Sequence, residues 1–358
     1  MGNKRNYGLP YMGSKSKIIN FICDNIPTCD TFVDLFCGGG SVTHYMIEQN
    51  RYNNYICNDK NHLIVDLLDK TLRGEYRNER RFVDREEFLR EKNNDGFIRY
   101  IWSFGNRGTS YLYSAKMEDY KRCLHNAIYN DEFDELRDKY CIDLSEISII
   151  DPMDIRSRVN ATRKIMKRMS LDNILIYNNG SYKYNDDAFT DNEYVNSIRT
   201  TRINDIEHFE RLELMNKLQE HIEHSRLQHI ENINRLNEVG FSNELISFSS
   251  LSYQDVVIPD NSVVYCDIPY KGTGTYTSGG FDYDAFYEYA LKSEHPIFIS
   301  EYDMPNDFVC VDEIDKKCQF KNSVGAIDTI ERLYTTQKSL QIINDNPDIY
   351  MWNFKNGL

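Results

Sequence analysis

The strongest constraint on the fold is a strand that runs straight into three glycines. Thr31-Phe32-Val33-Asp34-Leu35-Phe36 is a short buried-strand pattern, closed by Cys37-Gly38-Gly39-Gly40-Ser41, and Val42 to Gln49 can follow as a helix. Glycines at such a turn let the backbone pass where a Cβ would intrude, and they aim helix N-terminal amides at a ligand. A second strand, Tyr55-Ile56-Cys57-Asn58, ends at Asp59 and leads into a helical stretch from His62 to Leu72. This βαβα opening predicts an α/β fold with a parallel sheet and crossover helices. Asp59 lies 19 residues beyond Gly40, where an acidic side chain grips ribose hydroxyls in nucleotide-type cofactor sites. No third glycine stands at the dinucleotide spacing, so the turn favours S-adenosylmethionine over a pyrophosphate cofactor.

α/β texture returns late in the chain. Leu245 to Phe248, Ser262 to Cys266 and Pro296 to Ser300 read as strands, with a helix from Tyr283 to Lys292 between the last two. Glu331 to Thr335 and Ser339 to Ile343 are expected to close the same sheet. Between these parts the chain is charged and rich in Asn and Tyr, without regular strand signals. One long helix is expected there from about Asp205 to Val239, since Ile206, Phe209, Leu212, Met215, Leu218, Ile222, Ile230, Ile233 and Leu236 favour one face. The expected division is 1–72 and 241–358 as the two parts of one domain, with 73–240 inserted as a mostly helical second domain.

Composition narrows the function classes. Against 42 Lys and Arg stand 56 Asp and Glu, a formal charge of -14, which argues against a protein whose whole surface coats nucleic acid but leaves room for a local basic face. The aliphatic runs are far shorter than the roughly 18 residues needed to span a bilayer. The start Met1-Gly2-Asn3-Lys4-Arg5 lacks the apolar stretch of a secretory signal, so the expectation is a cytoplasmic protein without membrane contact. The 9 cysteines are odd in number and show no CxxC spacing, which speaks against a disulfide framework or a zinc cluster. His221, His224 and His229 lie beside Glu220 and Glu223, but a helix this polar is expected to present them to solvent, and no metal is expected. The Asn and Tyr bias suits an AT-rich phage or bacterial genome as readily as base stacking.

The second constellation is Val263-Val264-Tyr265-Cys266-Asp267-Ile268-Pro269-Tyr270, a buried strand that ends in Asp, an apolar residue, Pro and Tyr. An exocyclic amine is a poor nucleophile because its lone pair is delocalised into the ring. A carboxylate and a neighbouring main-chain carbonyl can accept both of its N–H groups, and a following aromatic ring can stack on the base.

With these residues the sequence resembles the Dam-like family of S-adenosylmethionine-dependent DNA adenine-N6 methyltransferases. Pro10-Tyr11-Met12-Gly13-Ser14-Lys15 is similar to that family's N-terminal element, Phe32 to Val42 to its cofactor motif, and Asp267-Ile268-Pro269-Tyr270 to its Asp-Pro-Pro-Tyr motif. Ser252-Tyr253-Gln254-Asp255-Val256 resembles its cofactor-adenine segment, and Ser300 to Asp303 and Glu331 to Tyr334 resemble later elements of its sheet. The resemblance implies a class I Rossmann-like methyltransferase sheet with an inserted target-recognition domain. It also implies roles. Tyr11 and Lys15 would lie at the cofactor, with Lys15 near a phosphate or the cofactor carboxylate. Asp34, Phe36, Gly38 and Gly40 would cradle methionine, Asp59 the ribose and Asp255 the adenine amine of the cofactor. Asp267 would hold the target amine of a flipped adenine, and Tyr270 would stack on that base. Ile268 departs from the family's first Pro, but the chemistry uses its carbonyl, and Pro269 still restricts it to an extended conformation. Lys271 to Gly280 would be a loop that orders over the extruded base, or else a plain flexible connection.

Double-stranded DNA is the implied partner, a cognate restriction endonuclease is a possible second one, and the chain is expected to be a monomer or weak dimer. Arg156, Arg158, Arg163, Lys164, Lys167 and Arg168 follow one another without an intervening acid, as a phosphate-binding face or a solvated helix face. In Trp102-Ser103-Phe104-Gly105-Asn106-Arg107-Gly108, Asn106 and Arg107 could read base edges or fill the gap left by flipping, or the segment is an aromatic structural loop. Competing activities are cytosine-N4 or RNA amine methylation, and a catalytically silent DNA-binding homologue. Asp267 favours adenine, because cytosine enzymes commonly carry Ser at that position.

Overall fold

Strand β1 (Thr31–Asp34) is buried along its whole length and pairs on both edges, with β2 (Asn54–Asn58) on one side and, across the insertion, with a strand from the far end of the chain. The computed structural model describes residues 7–77, 79–140, 142–171, 175–178, 181–184, 211–212, 214–225, 245–271, 280–316 and 329–352, with the backbone alone for 167–171, 175–178, 181–184, 316 and 329. A separate antiparallel hairpin is formed by β3 (Leu175–Asn178) and β4 (Ser181–Tyr184). The C-terminal part supplies β5 (Ile246–Ser249), β6 (Ser262–Cys266), β7 (Ile297–Glu301), β8 (Phe308–Lys316) and β9 (Thr329–Thr336). The large sheet has 7 strands in the order β5-β2-β1-β6-β7-β9-β8. It is parallel from β5 through β7, and β9 and β8 are antiparallel additions at one edge.

This is a mixed α/β, Rossmann-like fold. Its central strands read as continuous apolar runs because helices cover both faces. All 5 residues of β6 are buried, and Val33, Leu35, Val264, Ile268, Phe286 and Ile297 share one core. The N-terminal helices are α1 (Ile19–Asp24), α2 (Ser41–Glu48) and α3 (His62–Leu72). Asp282 caps the crossover helix between β6 and β7, accepting the Ala285 N–H at 3.0 Å.

The chain divides into two compact units, residues 1–74 with 217–358, and residues 75–216. The first holds the 7-stranded sheet. The second contains α4 (Arg85–Glu91), α5 (Gly96–Ile101), α6 (Glu118–Asn130), α7 (Asp134–Tyr140), α8 (Ile155–Leu171) and the β3–β4 hairpin. Its core includes the fully buried Trp102, with Phe82 edge-on at 5.1 Å. Of the long helix expected over 205–239, residues 214–225 are described as helix α9, and Leu212, Met215, Leu218 and Ile222 are buried as the periodicity requires. Residues 205–210, 213 and 226–244, His229 included, lie outside the described residues.

Later in the chain α10 (Tyr283–Lys292) follows the expected bounds, while α11 (Gln337–Asp345) corrects them. Ser339 to Ile343, expected as a strand, is helical. The strand that precedes it ends at Thr336, whose side chain accepts the Ser339 N–H at 3.0 Å and starts a helix there. Ser339 and Ile343, spaced by four, then face inward. Among the described residues no helix is long and apolar enough to cross a membrane.

Candidate active site

In an open parallel sheet, ligands gather beyond the carboxyl ends of the strands where the strand order reverses. Here that point lies between β1 and β6, whose following helices lead to opposite sides. Asp34 is in register with Tyr265, and Leu35 donates to the Tyr265 carbonyl at 3.0 Å. The glycine turn and the Asp-Ile-Pro-Tyr segment therefore emerge side by side.

The glycine turn is packed from above by the N-terminal segment. Leu9 N–H donates to the Gly39 carbonyl at 2.7 Å. A Cβ on Gly38, whose φ is +48°, would come within 2.9 Å of the Tyr11 ring, and one on Gly39 within 2.8 Å of the Leu9 carbonyl. The glycines thus admit the chain's own residues 9–11. Asp59 has one oxygen on the Gly38 N–H and the other on the Asn61 N–H, each at 2.9 Å, so its carboxylate fastens the turn to the end of β2. Asp34 is buried, and that burial pushes its carboxyl up to about 8 against the lowering effect of the Thr43 hydroxyl, which donates to it at 2.9 Å. Its other oxygen has no hydrogen-bond partner among the described residues. Phe36 packs against Tyr253 and Phe286 at 5.6 and 5.7 Å, and Asp255 sits exposed on the turn after β5.

Below the N-terminal segment, Gly8 N–H donates to His44 Nδ1 at 2.9 Å, and His44 Nε2 lies 3.0 Å from His221 Nδ1. Burial pushes the His44 imidazole down to about 3, so it is neutral at physiological pH. His221 therefore does more than face solvent, contrary to the expectation from its polar helix. It ties α9 to the helix behind the glycine turn.

At the end of β6 the Asp267 carboxylate is held by an ammonium. Lys15 Nζ lies 2.6 Å from Oδ1 and 2.7 Å from Oδ2, although 252 residues separate the two in sequence. The resemblance gave Lys15 a phosphate or the cofactor carboxylate; in the structure its ammonium rests on Asp267. The same Nζ is 4.6 Å from the centre of the Tyr270 ring. Tyr270 is buried, donates its hydroxyl to Glu331, and meets the Tyr302 ring edge-on at 4.6 Å. Ile268 packs its side chain into the central core, and Tyr283 donates to the Pro269 carbonyl at 2.9 Å, which holds the segment from behind. Glu301, buried at the end of β7, accepts the Lys271 N–H at 3.1 Å and the Tyr302 N–H at 2.7 Å. Burial raises its carboxyl to about 7. A cavity of about 640 Å³ opens here, lined by Lys271, Tyr287, Glu301, Tyr302, Asp303 and Met304 among others. Residues 272–279 of the expected loop lie outside the described residues.

In the inserted unit the basic run does not form one face. Arg158 is fully buried, with its guanidinium on Asp131 and on the Ile150 carbonyl at 3.0 Å, so it braces the interior and is withdrawn from the phosphate-binding set. The helical period explains this: Arg158 shares the inward side of α8 with Val159, Thr162 and Ile165. Arg156 and Lys164 are exposed and Arg163 half-buried, while the side chains of Lys167 and Arg168 lie outside the described residues. Trp102, Tyr111 and Tyr113 belong to the core of this unit. Asn106 is half-buried at φ +56° and donates to the Tyr100 carbonyl at 3.1 Å, and Arg107 is exposed beside Phe104.

Glu331, Glu301 and His44 were not picked out from the sequence as site residues. The signal for Glu331 was there: Glu331, Leu333 and Thr335 alternate along β9, which sets a carboxylate at an inward position of a buried strand.

The chain matches none of the curated proteins with which it was compared. A family description does fit it, and fits nearly end to end, from Tyr11 beside the glycine turn to the last helix: the model of the D12 class N6 adenine-specific DNA methyltransferases matches residues 11–342. Both emerging motifs and the whole insertion fall inside that match, and the chain belongs to this family of DNA adenine methyltransferases.

Proposed function

We propose that this chain transfers a methyl group from S-adenosylmethionine to the N6 amine of an adenine flipped out of duplex DNA, at a short recognition sequence. The observation that carries the reading is the pair of contacts from one ammonium to both oxygens of Asp267, beside the face of Tyr270. A carboxylate so placed is preorganised to accept N–H donors from an amine, with an aromatic plane next to it for a base. A target amine inside a duplex is out of reach, so the base must leave the stack.

The glycine turn suits the cofactor. Asp34 keeps one buried carboxylate oxygen without a partner, which a cationic amino group such as that of the methionine moiety would satisfy. Tyr11, Phe36, Gly38 and Gly40 would hold the methionine part, Asp59 the ribose and Asp255 the adenine. When bound, the cofactor supplies a methyl group on a positively charged sulfur. Asp267 accepts one N–H of the target amine and the Ile268 carbonyl the other, so the nitrogen can direct its lone pair at that methyl group. Transfer would form the C–N bond as the S–C bond breaks, with the neutral thioether as leaving group, and the proton lost from the amine would pass by way of the Asp267 carboxylate to solvent. The entering amine would loosen the Lys15 contacts, which span both Asp267 oxygens.

The 75–216 unit is the target-recognition part in this reading. Arg156, Arg163 and Lys164 would contact phosphates, with Lys167 and Arg168 continuing the run, and Asn106 and Arg107 would act at the bases. Asp267→Ala tests the assignment: transfer of labelled methyl to DNA should fall by about a thousandfold or more. Activity within about tenfold of wild type would remove Asp267 from the chemistry.

A further inference from the structure

The roles above leave a buried carboxylate at the site without a task. Glu331 is 0% exposed, accepts the Tyr270 hydroxyl, and lies 3.9 Å from Lys15 Nζ. One ammonium thus stands between two carboxylates, bonded to Asp267 and within a short shift of Glu331. The ammonium now spans both Asp267 oxygens, so a substrate amine that bonds to either oxygen draws on the same carboxylate and loosens the ammonium's hold. The Lys15 side chain is only 6% exposed, so once displaced it needs an anion nearby. Glu301 does not offer one as readily, since its two oxygens already take the Lys271 and Tyr302 N–H groups.

We propose that Glu331 is a positioning residue that receives the Lys15 ammonium when the substrate amine takes Asp267, while its bond from the Tyr270 hydroxyl keeps that ring in place for the base. The inference rests on the methyl-transfer reading. The pair of carboxylates keeps the total charge of the site constant: as the neutral amine enters, the ammonium moves from one carboxylate to the other. The aromatic face of Tyr270 lies along this short path, 4.6 Å from Nζ, and stabilises the cation there.

Glu331→Gln keeps an acceptor for the Tyr270 hydroxyl and the size of the side chain but removes the charge. Among the described residues no second carboxylate then lies within 4.0 Å of Lys15, which competes with the substrate for Asp267. The expected result is a fall in kcat/KM for DNA of about tenfold or more, mostly through KM for DNA, with KM for S-adenosylmethionine changed by less than about twofold. Lys15→Met removes the competitor, so the Lys15→Met, Glu331→Gln double variant should match Lys15→Met within about twofold. Glu331→Asp, which retains the charge, should recover most of the kcat/KM and also serves if the Gln variant does not fold. An unchanged kcat/KM in Glu331→Gln, losses that multiply in the double variant, or no recovery in Glu331→Asp overturns the inference while the wild-type chain still methylates DNA. A wild-type chain that transfers no methyl group removes the underlying reading and the inference with it.

Discussion

Asp34 shows at the residue scale how a buried, half-satisfied carboxyl costs stability. Its carboxyl titrates near 4 when unfolded and is pushed up to about 8 by burial in the folded chain. Between those values the native state holds the proton more tightly, so stability conferred by this group is greatest at low pH and is lost as pH rises from about 4 to about 8. Asp34→Asn should therefore flatten the pH dependence of unfolding, with a gain of at most about 4 kcal/mol relative to wild type between pH 5 and pH 8. Chemical denaturation at the two pH values reads this directly, and parallel slopes for the two proteins would show that Asp34 is not the group responsible. The same variant should bind S-adenosylmethionine more weakly, since the amide no longer offers a charge to its amino group. The sequence placed Asp34 at the end of a strand just before the glycines, as the structure also does. It could not show that the carboxyl would be left half-satisfied, because that depends on which of the neighbours, such as Thr43, reach it.

At the scale of elements, the glycine turn and α8 make contrasting predictions. A Cβ on Gly8, at φ +72°, would meet the Gly39 carbonyl at 2.4 Å, and both partners are backbone. Gly8→Ala should destabilise the chain by about 2 kcal/mol or more and lower cofactor affinity, because the N-terminal segment can no longer lie on the turn. A thermal midpoint unchanged within measurement error would refute that. On α8, Arg158→Ala should cost about 3 kcal/mol, since it empties an interior position and strands Asp131 and the Ile150 carbonyl. Arg156→Ala should leave stability nearly unchanged, as an exposed position does. Equal losses of stability for the two would contradict this assignment of inside and outside. Such elements were partly legible. Strand β6 and helix α10 begin and end where the sequence pattern puts them. Ser339 to Ile343 was not legible, because the pair Ile342-Ile343 resembles a strand and the capping bond from Thr336 appears only once β9 has ended there. The inward turn of Arg158 was hidden for a similar reason, since a run of like charges reads as one surface until the helix phase is known.

For the whole molecule, a charge of -14 requires DNA to be met by a local basic face and limits how much of the affinity charge can supply. If Arg156 and Lys164 touch phosphates, replacing both with Ala should weaken binding to all sequences alike and reduce the slope of log K against log salt by about 2. An unchanged slope would move the phosphate contacts elsewhere. That the two ends of the chain form one sheet was legible from two short motifs, but the strand order that sets β1 beside β6 and brings their carboxyl ends together was not. Nor was the closing of Lys15 onto Asp267, since nothing in the sequence of either motif announces a partner 252 residues away. The central claim is that this meeting point carries out amine methylation of adenine. The most direct measurement is incubation of the purified chain with duplex DNA and S-adenosylmethionine labelled in the methyl group, followed by digestion to nucleosides and separation. Label in N6-methyldeoxyadenosine, absent with Asp267→Ala, is the predicted result; label in N4-methyldeoxycytidine, or equal label from the Asp267→Ala variant, would contradict it.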